Sequence, residues 1–227
     1  MFEEALIILI IIYFRKIYDV YEYLKITYRI SCLGGKDGSQ IQKSTIYTCT
    51  GDRGKTGTLS KGRVMKYDRC IKCVGELDEL SVLLGYVKLS QVVKTYPLVE
   101  NINSIQCFLL DIGTFCVSSK SEECISEFDI KNLQNTIDEI DFILPKLTNF
   151  LIYSETAEVL NIHLARAQCR KAERTLVKML SSQLENSTVL NILAYINRLS
   201  DFLYVLARLV ACVNREKEVK YSKKRMF

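Results

Sequence analysis

The sequence predicts an all-α protein, a five-helix bundle, on three observations. Its 227 residues hold two prolines, ten glycines and no tryptophan, too few turn-formers for a β-sandwich. Apolar residues recur at three- and four-residue steps over five stretches, the spacing of one helix face. No strand-like segments alternate with helical ones, as a doubly wound sheet would require. Hydrophobic residues at 48% and charged residues at 25% exclude intrinsic disorder and repetitive fibre. The length fits one domain of roughly 150 residues plus an extension.

Residues 1–44 read as an N-terminal extension and linker. Leu6–Phe14 is a nine-residue apolar run, where crossing a bilayer takes about 18 or more. Glu3 and Glu4 precede it where a signal peptide would be basic, and they fit a mitochondrial transit peptide poorly. A membrane-surface helix, a divergent targeting segment and sequence absent from the mature protein all remain open. Gly34–Gly35–Lys36–Asp37–Gly38–Ser39 reads as linker.

The bundle domain spans 45–214. The first helix is expected over Asp68–Lys94, with Leu77, Leu80, Leu84 and Val87 on one face and Pro97 beyond its end. The second covers 98–118, with Ile102, Ile105, Leu109 and Ile112 inward. The third covers 127–143, with Ile130, Leu133, Ile137 and Ile140 inward and a stop near Pro145. The fourth covers 154–182. The fifth covers 188–215, where Ile196, Leu199, Leu203, Leu206 and Val210 keep the rhythm of a bundle seam. Residues 215–227 form a basic tail with six Lys/Arg against two Asp/Glu.

That tail carries most of the net charge of +5, because 45–214 holds nineteen residues of each sign. A nucleic-acid binder wants a basic patch on its folded surface, so none is expected as a partner. The nine cysteines, an odd number, form no disulfide framework. Cys70 and Cys73 lack a second close pair to complete a zinc site, and His163 is the single histidine. Buried thiols in a reducing compartment are expected.

Arg166, Arg170 and Glu173 share a face of the fourth helix, with Lys171 and Arg174 beside them. Two arginines stacked on one face repel unless an anionic group lies between them. A solvated face or a ladder with Glu173 is the alternative. Asn197 and Asp201, one turn apart, interrupt the fifth helix's apolar rhythm as bundle-specifying hydrogen bonds or as part of a site. Asp78, next to Leu77, is expected to be partly buried, with Arg166 as its cation. Residues 48–58 offer backbone N–H groups and hydroxyls to phosphate. Gly54–Lys55–Thr56 is not a P-loop, since position 49 is Cys and glycines follow where a helix should start.

In this order the motifs resemble the PduO-type ATP:cob(I)alamin adenosyltransferases, or corrinoid adenosyltransferases. They are Thr48-x-Thr50–Gly51–Asp52-x-Gly54, then Gly75-x-x-Asp78–Glu79–Leu80, then Ile105–Gln106 with Asp111-x-Gly113. Arg166 and Cys169–Arg170–Lys171–Ala172–Glu173–Arg174 follow, and Asn197–Arg198–Leu199–Ser200–Asp201 completes the set over about 45–212. The resemblance implies a five-helix bundle with a glycine-rich ATP-wrapping segment, assembled as a homotrimer with active sites between adjacent subunits. It implies transfer of the 5′-deoxyadenosyl group of ATP to the cobalt of reduced cobalamin, giving adenosylcobalamin and triphosphate, with Mg²⁺ present. By position, Thr48, Cys49, Thr50, Gly51, Thr56, Gly57 and Lys66 wrap ATP, and Arg170, Lys171, Glu173, Arg174 and Asn197 complete that site. Arg166, Asp78, Phe150 and Arg170 form the catalytic set. Asp78 and Arg166 pair near the corrin, and Phe150 displaces the lower cobalt ligand.

Four features depart from the family pattern. Lys171 replaces a second arginine, and Lys72 stands where an acidic residue is common. Tyr153–Ser154–Glu155–Thr156 replaces a Pro/Gly-containing turn, and Lys61–Gly62–Arg63 replaces Gly–Glu–Arg. The loop changes motivate an alternative: an ATP- or cobalamin-binding carrier with weak turnover. Residues 1–30 motivate another, a structural or membrane-surface protein. A cobalamin reductase and an adenosylcobalamin-dependent enzyme are expected partners. The compartment is expected to be mitochondrial in a eukaryote and cytoplasmic otherwise.

Overall fold

The structure, a computed structural model, describes residues 24–25, 46–60, 62–96, 98–118, 124–152 and 156–221. The chain divides into two compact units, Met1–Thr48 and Cys49–Phe227. In the first, Leu24 and Lys25 are helical and exposed. The apolar run 6–14 and the linker 34–39 lie outside the described residues, as do Lys61, Pro97, residues 153–155 and 222–227.

The second unit contains α1 (Arg69–Val87), α2 (Gln91–Thr95), α3 (Leu98–Val117), α4 (Glu127–Ile143), α5 (Ala157–Leu180) and α6 (Ser187–Val213). Two antiparallel pairs accompany them: β1 (Lys55–Gly57) with β2 (Arg63–Met65), and β3 (Leu151–Ile152) with β4 (Val219–Lys220). The five long helices are those the sequence predicts. Their starts follow from capping. Asp68 accepts from the Cys70 amide, Ser126 forms a capping box with Asp129, and Asn186 accepts from Thr188 and Val189.

Packing places α1 between α3 and α5, and α6 between α5 and α4. Phe108 of α3 meets Tyr195 of α6 edge to face, with centroids 5.3 Å apart. From Phe202 to Ala211 every residue of α6 except Tyr204 is buried, which marks it as the central helix.

The first predicted helix, 68–94, is broken between α1 and α2. Val92 and Val93 lie five and six residues past Val87, so an unbroken helix would turn them off its face. The break returns both to the core. Ser90, buried there, donates from Oγ to Glu158 Oε2 at 3.0 Å. Gln168 Nε2 donates to the Glu76 carbonyl at 3.0 Å, and this tie together with Ser90–Glu158 sets α1 and α5 antiparallel.

The predicted fifth helix ends at Val213, two residues early. Arg215, at φ +57°, reverses the chain, and the amides of Arg215 and Glu216 donate to the carbonyls of Cys212 and Ala211. This is a Schellman stop with arginine at the left-handed position. It folds 216–221 back onto the bundle, so the first half of the expected tail is part of the fold. Cys70, Cys73, Cys116 and Cys169 are buried thiols, while Cys49, Cys107 and Cys212 are exposed.

Candidate active site

The glycine-bearing segment forms a turn and a hairpin, and Lys55 opens a strand where a P-loop would open a helix. Gly54 (φ +75°) and Gly62 (φ +69°) take the left-handed conformations that let the chain bend, and Cys49 shares that region at φ +55°. The Arg63 guanidinium donates to the carbonyls of Thr50 and Lys55 and fixes the turn. Lys66 reaches over Gly51, where an added Cβ would stand 3.5 Å from its Nζ. Thr50, Gly51 and Lys66 therefore converge. Half-buried Thr56 and exposed Gly57 lie on β1, and exposed Thr48 belongs to the first unit. Ser60 Oγ donates to the Val117 carbonyl at 3.2 Å, which ties the hairpin to the end of α3.

A second group lies on α5 and α6. Asn197 Nδ2 donates to Glu173 Oε1 at 2.9 Å, which locks the two helices at that level. Arg170 and Arg174 are exposed one turn apart, and Arg174 Nη1 donates to the Arg170 carbonyl at 3.0 Å. Lys171 reaches Glu79 on α1 at 3.3 Å and lines one groove with Arg174. Asp201 pairs with Arg198 at 2.7 Å.

The expected Asp78–Arg166 pair is not made within the chain. Asp78 is exposed and lines the groove between α1 and α3, so the expected burial is also corrected. Arg166 lies on the other flank, its Cζ 5.6 Å from the centroid of Tyr204 on α6. The two side chains point to opposite sides of the α1–α5 pair. The buried carboxylate of α1 is instead Glu76, 4% exposed, with Lys72 Nζ at 3.9 Å from Oε1. Burial, followed by the Arg166 charge, lowers the His163 pKa to about 4.

Phe150 is 84% exposed at the tip of the loop before β3. The adjoining strand pairs with β4, and the Tyr221 amide donates to the Phe150 carbonyl at 2.7 Å. Three residues escaped the sequence reading, Glu76, Tyr204 and Arg208, and Arg63 entered it only as part of a departure from the family pattern. Tyr204 carries no pattern that sets it apart. Glu76 beside Leu77 and Arg208 inside the run Phe202–Ala211 do, because a charge at a core position is a signal of partnered burial.

Fold and site together define an α-helical bundle with a glycine–lysine hairpin and a cationic face on α5, groups suited to phosphate. The comparisons agree with it and narrow it. The family model described as cobalamin adenosyltransferase matches residues 46–210, and the chain belongs to that family. It is 33% identical to the corrinoid adenosyltransferase MMAB of Bos taurus over 205 residues, 84% of each chain. It is 30% identical to the corrinoid adenosyltransferase of Bacillus subtilis over 182 residues, 78% of this chain and 92% of that one. Among solved structures, it matches a phenylalanine-to-alanine variant of the PduO-type ATP:corrinoid adenosyltransferase from Lactobacillus reuteri, complexed with cobalamin and ATP. That match has a TM-score of 0.68 and 29% identity, covering 78% of this chain and 99% of that one.

Proposed function

We propose that this chain transfers the 5′-deoxyadenosyl group of ATP to the cobalt of cob(I)alamin. The electron pair of cobalt(I) attacks the ribose C5′, the C5′–O5′ bond breaks, and triphosphate leaves as the cobalt–carbon bond forms. The observation that carries this reading is the exposed pair Arg170 and Arg174, one turn apart on α5 beside the Glu173–Asn197 hydrogen bond, inside a family-matching bundle. Cobalt(I) needs no protein base, so the residues act by positioning and by stabilising charge on the leaving group. Lys66 and Arg170 suit the phosphates. Phe150 suits the lower face of the corrin, where an apolar wedge excludes water and the lower ligand.

The assembly in this proposal is a homotrimer with shared sites. Exposed Val82 and Tyr86 on α1, Leu89 just beyond it, and exposed Leu160 and Leu164 on the adjoining α5 offer an apolar face suited to a second copy. Asp78 and Arg166, on opposite flanks, can pair only between copies. Such a head-to-tail contact gives a ring when its rotation closes.

Among the described residues no cluster of three His, Cys, Asp or Glu could hold a metal. Mg²⁺ in this proposal arrives on the nucleotide, since it relies on substrate phosphates and few protein ligands. Buried Glu76 lines a groove with five cations, Arg69, Lys72, Lys171, Arg174 and Lys178, a lining that suits phosphate oxygens. A reducing compartment fits the free thiols of the described residues, and a cobalamin reductase would supply cobalt(I).

The test is an anaerobic assay with ATP and pre-reduced cobalamin, following cobalt–carbon bond formation and triphosphate release. ATP binding without bond formation would establish the carrier alternative instead. Phe150→Ala is expected to slow the reaction from cobalt(II) more than from cobalt(I). Equal loss from both would contradict ligand displacement.

A further inference from the structure

We propose that the C-terminal segment Glu216–Tyr221 is a clamp that positions Phe150, anchored by the buried cation Arg208, and that it sets how much cobalt(II) substrate is held without a lower ligand. The proposal rests on the reading of Phe150 as the apolar wedge.

Phe150 does not hold itself in place. Its side chain is 84% exposed, so packing around the ring contributes little. The strand after it has two residues, and a two-stranded ladder of that size is marginal alone. What fixes the loop is a series of ties from the C-terminal segment. Thr156 Oγ1 donates to Glu216 Oε1 at 2.7 Å. Leu151 and Ile152 pair with Lys220 and Val219. Lys220 Nζ donates to Thr148 Oγ1 at 3.2 Å, and the Tyr221 amide donates to the Phe150 carbonyl at 2.7 Å. The loop is thus held on both sides of Phe150.

Arg208 has the same target. It is 3% exposed in the apolar centre of α6, a costly place for a cation. Its guanidinium spends its bonds on the two segments that flank the loop. Nη2 donates to the Pro145 carbonyl at 2.7 Å, Nε donates to Glu218 Oε1 at 2.8 Å, and Asp141 lies 3.6 Å from Nη1. One residue of the central helix therefore joins the start of the Phe150 loop to the strand that pairs with its end. Arg208 is a positioning residue that acts through Glu218 and β4. The Schellman stop at Arg215 aims the segment, since it reverses the chain immediately after α6.

The decisive variant is Tyr221→Pro in the full-length chain. It removes the amide that donates to Phe150 and leaves the buried residues untouched. Tyr221→Ala keeps the amide and is the control. The readout is the four-coordinate fraction of cobalt(II) cobalamin bound with ATP, measured by electron paramagnetic resonance. Tyr221→Pro is expected to lower that fraction about fivefold, the factor one backbone hydrogen bond is worth, with ATP affinity unchanged and Tyr221→Ala like wild type. If Tyr221→Pro does not fold, Glu218→Gln takes its place, judged on the same signal. Loss of the signal in Phe150→Ala but not in Tyr221→Pro or Glu218→Gln overturns the clamp and leaves the wedge standing. An intact signal in Phe150→Ala overturns the wedge reading and the clamp with it.

Discussion

Replacing Arg170 by alanine should separate nucleotide binding from folding. Arg170 lies on the exposed side of α5, while its neighbours Cys169 and Ala172 make the core contact. The backbone carbonyl that accepts from Arg174 is retained in the variant. Alanine is the stronger helix former, so the fold should change by no more than about 0.5 kcal/mol. The guanidinium is different if it meets phosphate. A hydrogen bond to a charged group contributes about 1.5–3 kcal/mol, and each 1.4 kcal/mol is about tenfold in affinity. ATP binding should therefore weaken by about 10- to 100-fold. Arg170→Lys should recover part of that loss, because lysine keeps the charge but not the planar fork. Calorimetric titration with ATP, beside thermal unfolding of the same preparations, checks both halves. Unchanged ATP affinity in Arg170→Ala would refute the phosphate contact. A Tm drop above about 5 °C would show that the residue serves the fold instead.

Three further outcomes are expected. Phe202→Ala, at a fully buried position on the central helix, should cost about 3–5 kcal/mol in denaturant unfolding, and a loss under about 1 kcal/mol would contradict its core role. Asp78→Arg and Arg166→Asp should each weaken self-association and together restore it, as read by sedimentation; no rescue in the double variant would rule out the pairing between copies. His163 has its pKa lowered from 6.5 to about 4. The unfolded chain takes up that proton first, so stability present above pH 6.5 is lost as pH falls toward 4. His163→Gln should flatten this acid limb of the Tm profile, and an identical slope would sink the assignment.

Regular helices were legible because burial imposes a period on sequence. Leu77, Leu80, Leu84 and Val87 announce α1, and Ile196, Leu199, Leu203 and Leu206 announce α6. The same rule hid the break before α2. Val92 and Val93 looked like a continuation, and only the five-residue step from Val87 showed that the face had slipped. The Asn197 and Glu173 positions were legible as polar interruptions, but not the bond between them, since pairing across helices leaves no spacing in one chain. The C-terminal strand was invisible for the opposite reason. Two residues are too few for a period of two, and a run of charges reads as solvated tail until Arg208 is seen to require a buried partner.

The proposed division of the site between copies would account for the placement of its parts. The hairpin that gathers Thr50, Gly51 and Lys66 is tied to the end of α3. The Arg170 and Arg174 face lies on α5, beyond α1 in the packing order. Asp78 faces the α3 side and Arg166 the α6 side. Phe150 stands out at 84% exposure. In the proposed head-to-tail ring each would be completed by the next copy, and the apolar face of α1 and α5 would supply the adhesion that polar half-sites lack. On this reasoning ATP affinity should rise with protein concentration across the association range, because the binding site is completed only when two copies meet.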